Sequence, residues 1–171
     1  MRSFVLAFVL VLALFNISET CAQNTLGGHI GFVKPIVEFA GGATNTLIDK
    51  AVIGFPMGVT IKPGGDFSYD LEIVPFAAYT SINRVGTVAT YNLLIHPGVV
   101  YNAGFATLGL RGAWESSGVV GFTPLINKGL FALGDKATVF GELWLPVRFA
   151  ANTDGSARTI VGIALHFGVG F

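Results

Sequence analysis

The chain is predicted to be all-β, an eight-stranded antiparallel up-and-down transmembrane β-barrel, and three observations predict it. The last fourteen residues alternate almost without exception. Thr159, Val161, Ile163, Leu165, Phe167, Val169 and Phe171 fall on one side of an extended strand, and Arg158, Ile160, Gly162, Ala164, His166, Gly168 and Gly170 on the other. A strand shows its two faces with a period of two, so this one has an apolar wall and a small or polar wall. Charged residues make up only 12% of the chain, against about 25% in ordinary soluble domains. Beyond residue 22 no apolar run approaches the length of a spanning helix. An apolar, exported chain without such a helix crosses a bilayer by closing a sheet, because every backbone group must then be bonded within the protein.

Export is expected from the first residues. Arg2 supplies a positive start, Phe4 to Phe15 form an apolar run of twelve, and Thr20-Cys21-Ala22 offers small residues at the positions a signal peptidase inspects. Twelve apolar residues are too few for a permanent helical anchor. The expected division is a cleaved leader over residues 1–22 and one barrel domain over 23–171. Cys21 invites a lipoprotein reading, but Ser18-Glu19-Thr20 lacks the residues expected before an acylated cysteine. Cleavage after Ala22 removes the chain's one cysteine, and with it any disulfide or thiolate metal site. It also leaves 9 basic and 9 acidic residues, so no basic stripe points to nucleic acid.

Eight strands follow from parity. The first, His29 to Ala40, sets Val33, Val37 and Phe39 against Lys34 and Glu38. The second, Ile53 to Lys62, sets Ile53, Phe55, Met57, Val59 and Ile61 against Gly54, Gly58, Thr60 and Lys62. In the third, Phe67 to Tyr79, Phe67, Tyr69, Leu71, Ile73 and Tyr79 oppose Ser68, Asp70 and Glu72. In the fourth, Tyr91 to Tyr101, Tyr91, Leu93, Ile95, Val99 and Tyr101 oppose Asn92, His96 and Gly98. The fifth, Phe105 to Glu115, opposes Leu108, Leu110 and Trp114 to Thr107, Arg111 and Glu115. The sixth, Val119 to Asn127, carries the weakest pattern: Val120, Phe122 and Ile126 against Thr123 and Asn127. The seventh, Val139 to Phe149, opposes Val139, Leu143, Leu145, Val147 and Phe149 to Glu142 and Arg148. The terminal strand is the eighth. Between them lie turn and loop segments rich in Gly, Asn, Asp, Ser and Thr, among them Pro63-Gly64-Gly65-Asp66 and Asn102-Ala103-Gly104. Short strands of even number with hairpin-length connections describe an up-and-down barrel.

Alternation does not say which wall faces out, since a soluble lipocalin-like barrel turns its apolar wall inward. The aromatic residues decide. With the chain run up and down, Phe39, Phe55, Tyr79, Tyr91, Trp114, Phe122 and Phe149 fall near one rim. Phe67, Tyr69, Tyr101, Phe167 and Phe171 fall near the other. An aliphatic belt that includes Val33, Val37, Met57, Leu71, Leu93 and Leu143 lies between them. Rings settle at headgroup depth, so two girdles around an aliphatic band mark a lipid-facing wall.

In this pattern the chain resembles the small eight-stranded outer-membrane barrels of bacteria, the OmpA/OmpX-like and opacity-type proteins. The resemblance covers the whole expected mature chain and rests on strand pattern rather than on a local motif. It implies location in a bacterial outer membrane, contact with its lipids, and recognition of the terminal strand, ending at Phe171, by the barrel-insertion machinery. It implies a monomer, no cofactor, and a structural or interaction role in the envelope. The loops are shorter than in the adhesive members.

The inner wall would then hold Lys34, Glu38, Lys62, Asp70, Glu72, His96, Arg111, Glu115, Glu142, Arg148, Arg158 and His166, five carboxylates and five cations with the histidines neutral. An eight-stranded barrel is just wide enough for side chains to fill, and a sealed ion without a partner costs several kcal/mol. A salt-bridged plug is therefore expected, with a narrow solute path as the alternative. Lipid-modifying barrels use Ser, His and a carboxylate together. Here neither His96-Pro97-Gly98 nor His166-Phe167-Gly168 places a serine beside its histidine, so no enzyme is expected. His29 is read as an interfacial polar residue. Pro35, Pro56, Pro75, Pro97, Pro124 and Pro146 all fall inside expected strands, where proline cannot donate to the ladder, so bulges are expected nearby. Pro35, Pro56 and Pro75 come close across the first three strands, which raises the alternative of a lateral opening for an apolar solute.

Overall fold

In a computed structural model of the chain, residues 25–47, 51–82, 86–151 and 156–171 are described, and the expected leader lies outside them. They form strands β1 (Thr25–Ala40), β2 (Ala43–Thr46), β3 (Ala51–Gly54), β4 (Met57–Lys62), β5 (Phe67–Ile82) and β6 (Gly86–Asn102). These are followed by β7 (Thr107–Glu115), β8 (Val120–Leu133), β9 (Ala137–Trp144), β10 (Val147–Ala151) and β11 (Ala157–Gly170). Among the described residues no helix is long and apolar enough to cross a membrane. Strands β2, β3 and β4 share the second position of the sheet, and β9 and β10 share the seventh. All pairings are antiparallel between neighbours, and β1 pairs with β11 from His29↔Gly170 to Ala40↔Ile160. That last ladder closes the ring, so the sheet has eight strand positions and no long free edge. Phe171 extends it: its N–H donates to Gly28 O (2.9 Å) and its O accepts from Gly28 N (2.8 Å).

The prolines explain where strands break and where they do not. Pro56 separates β3 from β4, and Pro146 separates β9 from β10. Each proline lacks its own donor but keeps its acceptor. Pro56 O accepts from Gly31 N (3.0 Å), Pro75 O from Phe55 N (3.0 Å), Pro124 O from Leu145 N (3.0 Å) and Pro146 O from Gly162 N (2.8 Å). Two of these bonds cross the patch of Pro35, Pro56 and Pro75. Among the described residues β1 pairs with β3 at Val33↔Gly54 and with β2 from Val37↔Thr46, and Leu47 N donates to Ile36 O (2.7 Å).

Pro35 produces the main departure from the expected parity. Beside it the β1–β11 register steps from Pro35↔Ala164 to Val37↔Ile163, so β1 carries one extra residue there. A bulge of one residue exchanges the two faces. Beyond it Glu38 lies inward opposite Gly162, and Val37 and Phe39 face out. Before it the assignment is reversed. Val33, expected in the lipid belt, is wholly buried inside. Lys34, expected on the inner wall, stands opposite the exposed Leu165 and so belongs to the outer wall. Ile30 and Phe32 join that wall, with Phe32 and Phe167 packed ring to ring at 5.9 Å.

Several strands run longer than expected. Pairing of β5 with β6 continues to Ile82↔Gly86, and β8 with β9 to Leu133↔Ala137. Residues 80–82, 86–90 and 128–137, read as loops from their small polar residues, are largely paired as strand. A ladder partner satisfies their backbone whatever their propensity. The second hairpin turns at Gly134, whose φ of +72° suits glycine.

The molecule is apolar outside and charged inside. Tyr91, Phe105, Leu26, Phe67 and Trp114 are each more than 60% exposed, whereas Glu72, His96 and His166 are fully buried. The girdle residues lie on the outer wall. Phe39, Phe55, Tyr79, Tyr91, Trp114, Phe122 and Phe149 are exposed, as are Phe67, Tyr101, Phe167 and Phe171, and Tyr69 is half-buried.

Candidate functional site: the charged lumen

Strand register builds the lumen as rows of side chains. His29, Gly58, Glu72 and His96 are opposite one another across four neighbouring strands. The next row carries Thr60, Asp70, Gly98, Arg111 and Thr123, and another carries Thr107, Asn127, Glu142, His166 and Val33. Glycine occupies two inward positions of these rows because long side chains cross over it. A Cβ on Gly58 would lie 2.1 Å from the His29 ring, and one on Gly98 would lie 2.6 Å from Arg111 Cγ. These glycines let His29 reach Glu72 and let Arg111 fold back to Asp70.

Glu72 is the hub, and its two oxygens face different partners. Oε1 accepts from His96 Nδ1 (3.2 Å) and Arg111 Nη1 (3.4 Å). Oε2 lies 2.9 Å from His29 Nε2 and 3.9 Å from His166 Nδ1. Arg111 donates from Nε to Asp70 Oδ2 (2.7 Å) and from Nη1 to Glu142 Oε1 (2.8 Å). Thr60 Oγ1 donates to Asp70 Oδ1 (2.8 Å), and Asn127 Nδ2 to Glu142 Oε2 (2.9 Å). Trp144 Nε1 donates to Glu142 Oε1, where His166 Nδ1 also makes a 3.4 Å contact. Charge-assisted bonds of this kind are the strong ones.

A second group lies toward the end of the barrel away from the described chain termini. Arg148 donates from Nε to Glu115 Oε1 (2.9 Å) and from Nη1 to Thr123 Oγ1 (3.0 Å). Asn92 Nδ2 donates to Glu115 Oε2 (2.6 Å). Thr123 joins the two groups, because its hydroxyl is 2.9 Å from His96 Nε2. The Arg148 guanidinium is also 3.4 Å from that nitrogen. Since a guanidinium only donates, Nε2 of His96 is the acceptor and Nδ1 carries the proton given to Glu72.

Of the residues expected on the inner wall, Asp70, Glu72, His96, Arg111, Glu142 and His166 meet in the central group, and Glu115 and Arg148 form the second. Glu38 is half-buried and lines the cavity beside Arg148. Lys62 is exposed at the mouth of the other cavity, and Arg158 is exposed at the end of β11. Lys34 lies outside. Sequence reasoning placed His29 at the interface, whereas it is 8% exposed and bonded to Glu72. It also omitted Trp144, which is inward by the parity of Glu142. The inward Gly58 opposite Glu72 was the available signal for the first.

The buried layer of Glu72, His96, Thr123 and His166 divides the lumen. On the side of the described termini lies a cavity of about 490 Å³ lined by His29, Asp70, Arg111, Asn127 and Glu142. On the other side lies one of about 260 Å³ lined by Glu38, Leu94, Glu115, Trp144 and Arg148. Ser116 Oγ, at the latter end, donates to Asn92 Oδ1 (2.7 Å), and Ser117 Oγ to Glu115 Oε2 (3.3 Å).

No family model matches the chain, and no curated protein matches it. Among solved structures it is similar to Ail, the attachment invasion locus protein of Yersinia pestis, crystallised in complex with the heparin analogue sucrose octasulfate. The match is 12% identical, covers 88% of this chain and 100% of that one, and has a TM-score of 0.45. The architecture therefore stands on this chain's own pairing: it is an all-β, antiparallel up-and-down barrel of eight strand positions, closed between β1 and β11.

Proposed function

We propose that the chain is a small integral barrel of a bacterial outer membrane, a monomer with a structural or interaction role in the envelope. One observation carries this reading. The wall facing away from the lumen is apolar and aromatic around the ring, while the ionic groups of the central network are sealed inside. Such a surface is solvated by acyl chains, and its polar network holds the wall rigid from within. The layer at Glu72 and His96 favours a filled lumen over a solute path, since Glu72 bonds to Arg111 and His96 to Thr123 over an intervening strand. Phe171, fastened to Gly28, would present the terminal strand to the insertion machinery. The leader over residues 1–22 would be removed on export.

Gel migration of the detergent-folded protein, with and without boiling, tests the barrel. A shift on boiling is expected. A folded monomer soluble in plain buffer would overturn the reading. Planar-bilayer recordings test the plug: no reproducible conductance is expected, and a steady conductance would favour the transport reading instead. Removal of Phe171 should lower the amount assembled in the outer membrane without changing the leader cleavage.

A further inference from the structure

We propose that the half of the lumen beyond the Glu72 layer, away from the described chain termini, binds a small hydrophobic amine. Its ammonium group bonds Glu38, and its apolar body lies against Phe76, Leu94 and Trp144. The character of the inner wall carries the proposal first. On the side of the described termini the cavity lining is polar, with Thr60, Ser68, Asp70, Asn127 and Thr138. Past the layer it turns apolar, with Val52, Phe76, Ala78, Leu94, Trp144 and Ile160 around the second cavity. Lipid does not require this, because the same strands already present Ile73, Tyr79 and Leu93 on the outer wall. Nor is the apolar lining packed shut. A Cβ on Gly54 would lie 2.7 Å from both Phe76 Cε1 and Val33 Cγ1, so the Phe76 ring is folded over Gly54 against the wall. A cavity of about 260 Å³ stays open beside it, whereas packed interiors leave few voids larger than a water molecule. Trp144, ring to ring with His96 at 5.1 Å, meets the buried layer there. That layer makes the cavity a dead end, which holds a ligand rather than passing it.

Charge says what kind of head group the cavity takes. Arg148 and Glu115 neutralise each other at 2.9 Å. The second oxygen of Glu115 accepts from Asn92 Nδ2 (2.6 Å) and Ser117 Oγ (3.3 Å), so this pair is already satisfied. Glu38 is left over. It is half-buried, stands opposite Gly162 and lines the cavity. A Cβ on Gly162 would lie 3.7 Å from Glu38 Cγ, so the side chain runs along the space that this glycine leaves. Among the described residues the Glu38 carboxylate has no hydrogen bond and no ion pair, and Arg158, exposed at the end of β11, makes none with it. Drawing a carboxylate out of water without a partner is unfavourable, and a bound cation offsets that cost. The cavity thus combines one uncompensated negative charge with an apolar wall, which matches a cation carrying a hydrocarbon body. Its volume is just below the roughly 300–1,000 Å³ of ordinary small-molecule sites, so the occupant is a single ring or a short chain. An ammonium on the carboxylate supplies the charge-assisted bond that fixes its orientation.

Binding of phenethylamine to the protein folded in a nonionic detergent tests this, with phenethyl alcohol and phenylpropionate as neutral and anionic counterparts. The chain has two tryptophans. Trp114 is 61% exposed on the outer wall, so Trp114→Phe leaves Trp144, in the cavity wall, as the fluorescent reporter. A saturable change is expected with the amine. The alcohol should bind about 10–100-fold more weakly, the margin of a hydrogen bond to a charged group, and the acid weakest of all. Glu38→Gln should weaken the amine by the same factor and remove its advantage over the alcohol. Ala78→Phe, which fills the cavity from its wall, should abolish binding of both. The inference rests on the barrel reading, and heat-dependent gel mobility of the same samples keeps the two apart. A chain that shifts on boiling yet shows no saturable binding overturns the site and leaves the barrel standing. Equal affinity for amine and alcohol, or an amine affinity untouched by both Glu38→Gln and Ala78→Phe, also overturns the site.

Discussion

Replacing Arg111 with methionine keeps most of the side chain's volume and deletes the one cation of the central network. Arg111 is 3% exposed and donates to Asp70 at 2.7 Å, Glu142 at 2.8 Å and Glu72 at 3.4 Å. Removing one partner of a buried ion pair costs about 3–5 kcal/mol, because the other charge is left uncompensated. Here three carboxylates are left facing one another, so the loss should lie at the upper end of that range. The guanidinium also lies 5.8 Å from the Trp144 ring centre, and that cation–π contact adds about 0.5–1 kcal/mol. Urea unfolding in phospholipid vesicles, followed by tryptophan fluorescence, measures the loss. Asp70→Asn in the same chain should recover part of it, with a coupling of about 0.5–3 kcal/mol. A cost below the ~1 kcal/mol typical of an exposed pair, or strict additivity of the two substitutions, would refute the buried network.

Other substitutions probe the walls. Leu110→Arg, on the exposed side of β7, should cost about 2–4 kcal/mol in a bilayer, and unfolding in vesicles of different thickness should change that cost. Lys34→Leu should stabilise the folded barrel by about 1–3 kcal/mol in the same assay, since it removes a charge from the lipid face; destabilisation would place Lys34 back in the lumen. Gly121→Ala would put a Cβ 2.0 Å from Val147 O and 3.0 Å from Arg148 Cα. Because backbone cannot yield as a side chain can, it should cost about 1–3 kcal/mol and separate β8 from β10 in amide exchange.

Much of this barrel is written in the period-two pattern, because each strand's face is set by the residues on it and needs no knowledge of its neighbours. The outward Leu71 and Ile73 and the inward Asp70 and Glu72 follow from alternation alone, and so do Arg111, Glu142 and His166. What alternation cannot register is a change of phase. The extra residue beside Pro35 reversed Val33 and Lys34, and only pairing with β11 reveals it. Loop-like composition also misleads over 128–137, where the ladder between β8 and β9 supplies the hydrogen bonds that propensity did not promise.

The sequence by itself determined that one wall of each strand is largely apolar, that most in-strand charge lies on the other, and that no long apolar run beyond the leader competes with the sheet. Tertiary structure alone decided which of the inner charges meet. Asp70, Glu72, Arg111, Glu142 and the three histidines come from six strand positions. Their contacts depend on register, on strand tilt and on inward glycines such as Gly58 and Gly98 that leave room for a side chain to cross. Parity assigns a face one residue at a time, whereas a network is a relation among residues far apart in the chain, and only closure of the ring fixes their distances.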